Sequence, residues 1–460
     1  MKREVMILLI VFLLMGCSES REQVIEIDIS QPAEKGEAVK EQIQPDLVEL
    51  PKAEYPMITA EDFKADLVAL DEVLKSIRTT TTDVDVYSSQ LNTIKELEAE
   101  NPNELSLLEA YRKQNSLVVR MFDPNTYLVP SEQIKAQMAE TGLFPLSLLW
   151  LEDQLYVATG NADSLIPAYA QIKKINGLET AWILQIMTEA LAGNDSYKQW
   201  LLLQNFPEYY HLFVDDSTVF EVEYIDVNGE KGSATIGGVQ IPAEELFRLD
   251  IPFPLSVETE QKEYRGEHYM IMRFPDLSRT TEEQVQDQIK KGIMSANNGS
   301  IPTLLLDFRG NSILSQSMIQ TILPYFLESE ILFYGDKEAD NTPIQPGPIR
   351  YKGAVYIYTD GSIQGEMAQL IGLLRENSSK VKLVGTTLGG GYLNTVYPKQ
   401  LLLEHSGDKL IYCAEERISS AMKAPGAFDI NPDYLVTQAL LHGDQKPILE
   451  RKILDLLCNT

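Results

Sequence analysis

Three short segments in the last third of the chain combine hydroxyl, carboxylate and amide side chains with glycines. They cover residues 307–312, 362–366 and 384–391. Acyl transfer by a serine needs a nucleophilic hydroxyl, a base to take its proton, a group that orients the base, and donors for the developing oxyanion. Glycine-rich backbone can supply such donors because no side chain keeps the reacting carbonyl away. The residue types therefore indicate a site for acyl transfer or a site derived from one.

Strands and helices alternate around these segments. Apolar runs typical of buried parallel strands cover residues 301–308, 354–358 and 381–384, and helical patterns follow the first two at 315–327 and 365–375. This alternation predicts an α/β core with crossover connections. Sites in such folds lie at the carboxyl ends of the strands, where all three segments fall.

The preceding region is predicted to be helical. Thr59 can cap a helix in which apolar residues recur at steps of three and four. Those residues are Phe63, Leu67, Leu70, Leu74 and Ile77. Two further helices are predicted at 89–98 and 103–121.

A strand, a turn and a helix are predicted in the middle of the chain. Strands are expected at 155–158 and 172–175, and Asn176-Gly177 suits a turn that needs positive backbone angles. A helical pattern then covers 179–191.

In their order and spacing, the three segments resemble the core of the tail-specific (C-terminal-processing) serine peptidases. The branch with a TGGG turn, which includes the interphotoreceptor retinoid-binding repeats and the tricorn core, is the most similar. Residues 431–433 and 443–450 also resemble the closing segments of that family. The resemblance runs from about Thr59 to the end of the chain.

The resemblance implies a multi-domain α/β protein, with a PDZ-like module that would capture an extended peptide at a sheet edge. Five parts are predicted. They are a signal peptide at 1–16, a polar tether at 17–56, a helical cap at 57–140, a PDZ-like α+β part at 141–248 and an α/β peptidase-type core at 249–460.

The family nucleophile is a serine three residues before a glutamate. Here the glutamate is Glu366, so the matching position is Ile363, which has no hydroxyl. Ser362 lies one residue earlier, a rotation of about 100° on a helix. Ser362 is therefore expected to cap the helix, and its use as a displaced catalytic nucleophile is the alternative.

The family base is a histidine, and the matching position in residues 123–126 is Asn125, which cannot accept a proton near neutral pH. In the other branch of the family the base is a lysine, where this chain has Gly390. None of the four histidines lies beside a matched motif. They are His211, His268, His405 and His442.

The family's oxyanion segment is Asp-x-Arg-x-Asn followed by glycines. Asp307, Arg309 and Asn311 are present, but Ser312 and Ile313 replace the glycines. Asp307, Arg309 and Asn311 also suit a structural role, in which a buried Asp and Arg bind the backbone and each other at a strand end.

The leading hypothesis is a pseudopeptidase that binds a peptide or protein segment between the PDZ-like part and the core. Two alternatives remain, namely an active serine peptidase that uses Ser362 and a solute-binding lipoprotein. The predicted cleft residues are Asn125, Arg309, Asn311, Ser312, Ile363, Gly389, Gly390 and Gly391, with Ser362 beside them.

The first residues predict export. Lys2 and Arg3 precede an apolar run at 5–15 that is too short to span a bilayer, and Cys17 ends a stretch resembling a bacterial lipoprotein cleavage box. Lipidation of Cys17 would hold the mature protein on an extracytoplasmic membrane surface. Cys413 and Cys458 are the remaining cysteines, and their pairing is open.

Composition limits the remaining partners. The formal net charge of −29 argues against nucleic acid as a partner. The sequence offers no metal-ligand spacing and no cofactor motif, so no metal or cofactor is predicted. The oligomeric state is left open.

Overall fold

The computed structural model describes residues 51–77, 103–121, 123–151, 153–158, 165–249, 253–311, 314–333, 342–390, 393–418 and 429–436. The predicted helix at 89–98, Ser312, Ile313, Gly391, Cys17, Cys458, His442 and the 443–450 segment lie outside these residues. Within them, no helix is both long and apolar enough to cross a lipid bilayer.

The helices are α1 Ala60–Ser76, α2 Leu107–Val118, α3 Glu132–Thr141, α4 Thr180–Glu189, α5 Asp195–Gln204, α6 Phe206–Phe213, α7 Glu282–Asn298, α8 Gln316–Ile322 and α9 Gly365–Asn377. The strands are β1 Met57–Thr59, β2 Glu104–Ser106, β3 Tyr127–Val129, β4 Leu148–Leu151, β5 Gln154–Val157, β6 Gln171–Ile175, β7 Leu178–Glu179, β8 Val219–Ile225, β9 Lys231–Gly237, β10 Glu258–Tyr264, β11 Glu267–Arg273, β12 Thr303–Asp307, β13 Ile331–Phe333, β14 Thr342–Ile344, β15 Ala354–Thr359, β16 Val381–Gly385, β17 Leu393–Leu402, β18 Lys409–Ile418 and β19 Tyr434–Leu435.

The largest core is built on a six-stranded sheet of order β10-β11-β12-β15-β16-β19. The β10–β11 pair is antiparallel, and the remaining pairs are parallel. Leu304 and Leu306 face one apolar cluster, whereas Leu305 faces another, so β12 is buried on both faces. Burial on both faces explains the continuous apolar runs, and the predicted α/β class is confirmed.

Strand register brings the three chemical segments to one edge of this sheet. Asp307, at the end of β12, pairs with Tyr358 of β15. Thr359, at the end of β15, pairs with Gly385 of β16. Neighbouring strand ends lie about 5 Å apart, so the loops that follow them are forced together.

A second sheet of order β4-β5-β6-β8-β9 is formed in the middle of the chain. Its strands pair antiparallel, and α4 packs on it through buried residues such as Ile183 and Met187. Asn176 and Gly177 have φ values of 49° and 76°. The predicted strand, Asn-Gly turn and helix are therefore confirmed.

The first helices form a third cluster. The Thr59 side chain accepts a hydrogen bond from the Asp62 N–H and caps α1, as predicted. The five apolar residues predicted to face inward are all buried. β3 pairs with β18, and β18 pairs with β17. The β17–β18 hairpin is thus hydrogen-bonded to the region of the first helices. The predicted domain boundaries remain predictions.

Candidate functional site

Arg309 and Asp307 form a partly buried ion pair at the end of β12. Arg309 Nε and Nη2 each lie 2.8 Å from an oxygen of Asp307, and the guanidinium lies over the Tyr358 ring at 5.2 Å. Burial alone would lower the pKa of Arg309, but the charge and hydrogen bonds of Asp307 raise it above its usual value. The two side chains bind each other at the strand end, as the structural alternative expected. Because the guanidinium is paired, any contribution of Arg309 to a cleft stays a prediction.

Asn311 fixes the loop after this strand. Its side chain is 2% exposed. Oδ1 accepts from the Leu277 N–H at 2.9 Å, and Nδ2 donates to the Phe308 carbonyl at 3.2 Å. The prediction that Asn311 lines a cleft is therefore wrong, because both ends of its amide bind backbone inside the protein.

The hydroxyl of Ser362 is buried and engaged on both sides. Its side chain is 3% exposed, donates to Asp360 Oδ1, and accepts from the Gly310 N–H at 2.7 Å. The Ser362 N–H also donates to Asp360 Oδ1, at 2.9 Å. The predicted helix cap is wrong, since α9 has Gln364 as its N-cap residue and makes no side-chain cap bond there. Ser362 instead closes the Asp360 turn.

Ile363, at the position matching the family nucleophile, lies in the core. Its side chain is fully buried in the apolar cluster that includes Leu306, Met367 and Leu388. The prediction that Ile363 lines a cleft is wrong, because its side chain has no exposed surface. Burial of an aliphatic side chain of this size stabilises the fold by about 2 kcal/mol.

The glycine turn packs directly on the Ser362 segment. A Cβ on Gly389 would lie 2.0 Å from the Gly361 carbonyl oxygen, and one on Gly390 would lie 2.8 Å from Gln364 Cα. The Gly390 N–H donates to the Ile363 carbonyl at 2.9 Å. The glycines therefore permit two backbones to touch, and this N–H is already occupied within the protein. Whether either glycine borders a cleft stays a prediction.

The Asn431-Pro432-Asp433 segment anchors the strand that leads into the glycine turn. Asp433 Oδ2 accepts from the Leu383 N–H at 2.8 Å, and its other oxygen lies 3.2 Å from Arg375. Asn431 accepts a bond from the Thr387 hydroxyl at 2.9 Å. The role of this segment, which the family resemblance singled out, is structural.

Asn125 lies in a tight turn ahead of β3. Its backbone N–H and its Nδ2 both donate to Asp123 Oδ1, at 2.9 and 3.2 Å, and the Thr126 hydroxyl donates to Asp123 Oδ2 at 2.7 Å. The position that the family resemblance assigned to the base therefore holds a carboxamide that is bonded within its own turn. The placement of Asn125 in a cleft stays a prediction.

The start of α5 joins these segments, and sequence reasoning missed it. Asn194 Nδ2 donates to the Leu388 carbonyl at 2.8 Å, and Ser196 Oγ lies 3.0 Å from Thr386 Oγ1. Tyr197 interacts electrostatically with Asp123 and hydrogen-bonds the side chain of Gln364. Burial, first, and then Tyr127 and Asp123 raise the Tyr197 pKa above its usual value, and the Gln364 hydrogen bond opposes that shift. The capping pattern at Asn194 indicates where the helix begins, but it does not indicate which distant residues Asn194 contacts.

The histidines among the described residues make their contacts away from Ser362. His211 contacts the Tyr55 hydroxyl, His405 Nδ1 lies 3.1 Å from Asp62, and His268 is in β11. Among the described residues, Ser362 bonds only to Asp360 and Gly310. The Ser362 hydroxyl is thus held between a carboxylate and a backbone N–H.

Within the described part of the chain, no cluster of three or more histidine, cysteine or acidic side chains able to hold a metal ion occurs.

Comparison with known proteins supports the fold. No family model matches the sequence, and no curated protein matches it. The structure of the CPAF S499A mutant matches with a TM-score of 0.64 at 10% identity, covering 87% of this chain and 97% of that chain. Mature CPAF matches with a TM-score of 0.62 at 12% identity, covering 86% and 97%. The photosystem II D1 C-terminal processing protease matches with a TM-score of 0.41 at 9% identity, covering 84% and 96%.

CPAF belongs to the tail-specific peptidases. The chain thus has the tail-specific peptidase fold, as its motifs predicted. Identity this low shows the fold alone, so activity has to be argued from the site.

Proposed function

We propose that this protein is a pseudopeptidase that binds an extended peptide or protein segment without cleaving it. One observation carries the proposal, namely the state of residues 362 and 363. The position matching the nucleophile holds an aliphatic side chain in the core, and the adjacent hydroxyl is buried between Asp360 and Gly310. Neither group can reach a substrate carbonyl without rebuilding the turn.

The proposed peptide binding would use an edge of the sheet in the middle of the chain. The antiparallel sheet of the PDZ-like part ends in β4 and β9, and such edges can add an extended peptide as a further strand. The six-stranded sheet and the middle sheet each pack on an apolar core, which supports the proposal. A protein that keeps these parts, and whose Ser362 hydroxyl is hydrogen-bonded to Asp360 and Gly310, fits a binder better than an enzyme.

The proposal includes export and lipidation at Cys17. Its support is the sequence alone, through Lys2, Arg3, the apolar run at 5–15 and the cleavage-box pattern before Cys17. Replacing Cys17→Ser is expected to move the protein from the detergent phase to the aqueous phase in detergent partition. Unchanged partition would contradict the anchor.

A fluorophosphonate probe tests the absence of catalysis. The full-length protein is incubated with the probe beside an active serine peptidase as a positive control. We expect no labelling, because the Ser362 hydroxyl donates to a carboxylate and lacks an imidazole or amine partner among the described residues. Ser196→Ala is the matched control, since that hydroxyl lies near the same turn and bonds Thr386.

Labelling that disappears in Ser362→Ala and persists in Ser196→Ala would establish an active peptidase with a displaced nucleophile. Binding is measured in parallel by fluorescence anisotropy with short labelled peptides, and mass spectrometry checks that they stay intact. Saturable binding of intact peptide supports the proposal. No binding across a broad peptide panel would overturn it.

A further inference from the structure

The β17–β18 hairpin turns at residues 403–408, here called the hairpin tip. The Leu403 N–H donates to the Asp408 carbonyl at 2.9 Å, and the Gly407 N–H donates back to Leu403 at 2.8 Å. Gly407 has a φ of 77°, which glycine adopts readily. The tip is therefore a tight, hydrogen-bonded turn.

The hairpin tip is inserted against the first three helices. Asp66 of α1 is 2% exposed and accepts from the N–H groups of His405 at 3.2 Å and Ser406 at 2.7 Å. Asp408 is fully buried, and its Oδ1 accepts from the Ser131 N–H, at the start of α3, at 2.7 Å. Two carboxyl groups thus hold the tip through backbone N–H donors.

This cluster contains two buried acceptors without partners in the described part of the chain. They are Asp408 Oδ2 and Gln114 Oε1. Both residues are fully buried. Gln114 Nε2 and the Asp408 N–H each donate to the Ser406 hydroxyl oxygen, both at 3.4 Å. An unpaired buried acceptor destabilises a fold. One added proton would convert Asp408 Oδ2 from an acceptor into a donor.

The surroundings of Asp408 as a whole favour its protonated form. From α1 it faces the like-charged Asp66, from α2 the Tyr111 hydroxyl, and from the start of α3 the Ser131 N–H and hydroxyl. At the exposed rim of the cluster, His405 pairs with Asp62 at 3.1 Å. Burial, reinforced by Asp66 and opposed by the Ser131 and Ser406 hydrogen bonds, raises the pKa of Asp408 to about 7.

We propose that the hairpin tip is a proton-operated latch, in which neutral Asp408 holds the tip against the first helices and ionised Asp408 releases it. On release, the Asp408 proton goes to solvent and the charged carboxylate becomes hydrated. No covalent bond changes.

The latch connects to the site through both ends of the hairpin. β17 begins just after the glycine turn, and β18 pairs with β3, which follows the Asn125 turn. Release of the tip would therefore loosen two of the segments that meet at the site. The latch does not depend on whether the site binds peptide.

The sign of the pH effect follows from the raised pKa. The docked tip prefers protonated Asp408, so the docking free energy is fully present below the ordinary aspartate pKa of about 4. It is lost as the pH rises through about 7, and is constant above that value. Between about pH 5 and about pH 7 the opening equilibrium should rise roughly tenfold per unit.

Hydrogen–deuterium exchange of the intact protein tests the latch. The reporters are the amides of His405 and Ser406, which Asp66 binds, and of Ser131, which Asp408 binds. Rates are corrected for intrinsic exchange of the same peptides in the unfolded state. In the wild type, protection at these amides should fall across that pH range and then level off.

The isosteric substitution Asp408→Asn keeps a neutral donor in place, so its protection should be high and independent of pH. Asp226→Asn is the matched control, because Asp226 accepts N–H bonds in the exposed turn between β8 and β9. That variant should keep the wild-type pH dependence at the hairpin tip.

A flat profile in the wild type, or an unchanged slope in Asp408→Asn, would overturn the latch. If Asp408→Asn does not fold, the carbon-13 chemical shift of the Asp408 carboxyl in the wild type decides. Titration near 7 supports the latch, and titration near the ordinary value overturns it. Protection restored above pH 7 by calcium would show that a cation, and not a proton, occupies the cluster.

Discussion

Ser362 and Ile363 are adjacent residues whose side chains have opposite surroundings. The Ser362 hydroxyl is held by Asp360 and Gly310, whereas Ile363 is buried among aliphatic side chains. An isoleucine in the core fixes the rotation of the turn, and the neighbouring hydroxyl must then point to the Asp360 side. The two residues thus stabilise the turn in different ways, Ser362 by hydrogen bonds and Ile363 by apolar packing.

His211 provides a residue-scale prediction on pH. Its side chain is 1% exposed and contacts the Tyr55 hydroxyl. Burial, opposed by Asp216, lowers its pKa to about 4. The unfolded chain therefore binds the proton more readily, and stability is lost as the pH falls from about 6.5 toward 4. From about pH 7 to about pH 5 the unfolding free energy should fall by about 2 kcal/mol because of this residue.

Urea denaturation of the wild type and of His211→Gln at both pH values measures this contribution. The variant should show a smaller drop, since glutamine does not titrate. His268→Gln is the control, because His268 is exposed in β11 and its replacement should leave the wild-type drop intact. Equal drops in the wild type and His211→Gln would refute the assignment.

At the scale of elements, the start of α5 holds the loops of the site together. Its residues bond to the glycine turn through Leu388 and Thr386, and its backbone touches the Ser362 segment. Helices and turns that meet through backbone atoms leave no room for added atoms. The contact between α5 and Gly361 is therefore the most sensitive point of this region.

Gly361→Ala should separate these elements. The new Cβ would lie 2.0 Å from the Ser196 carbonyl oxygen and 2.8 Å from Trp200 Cβ. The backbone must shift, so we expect a loss of about 3 kcal/mol in unfolding free energy. Gly237→Ala is the control, since nothing lies within 4 Å of a Cβ there. It should change stability by less than about 0.5 kcal/mol.

Urea denaturation compares these two glycine variants. Similar stabilities would show that α5 can move away from the turn at little cost. In that case the packing described between α5 and Gly361 would not constrain the site.

At the scale of the whole molecule, the net charge of −29 sets a long-range field. Such a field speeds the approach of cationic partners and slows that of anionic ones. A lysine-rich labelled peptide should therefore associate faster than a glutamate-rich peptide of equal length at low salt. At an ionic strength of about 0.3 M the difference should shrink, because the Debye length falls to about 6 Å.

Stopped-flow anisotropy at the two salt concentrations measures these association rates. An uncharged peptide of the same length is the control, and its rate should change little. Equal rates for the two charged peptides at low salt would show that the charge serves solubility alone.

The sequence alone determined the local elements and the edge of the sheet where the motifs lie. The Thr59 cap, the inward face of α1, the Asn176-Gly177 turn and the buried strand ending at Asp307 were all readable, because each depends on consecutive residues. The sequence also shows directly that position 125 holds an asparagine and not a histidine.

Only the tertiary structure decided what the polar groups bind. Gly310 and Ser362 are 52 residues apart, and Ser131 and Asp408 are 277 apart. Spacing along the chain carries no information on such pairs, since the packing of whole elements brings them together. For that reason the predictions for Asn311 and Ile363 in the cleft and for Ser362 as a helix cap were wrong, while the fold itself was predicted correctly.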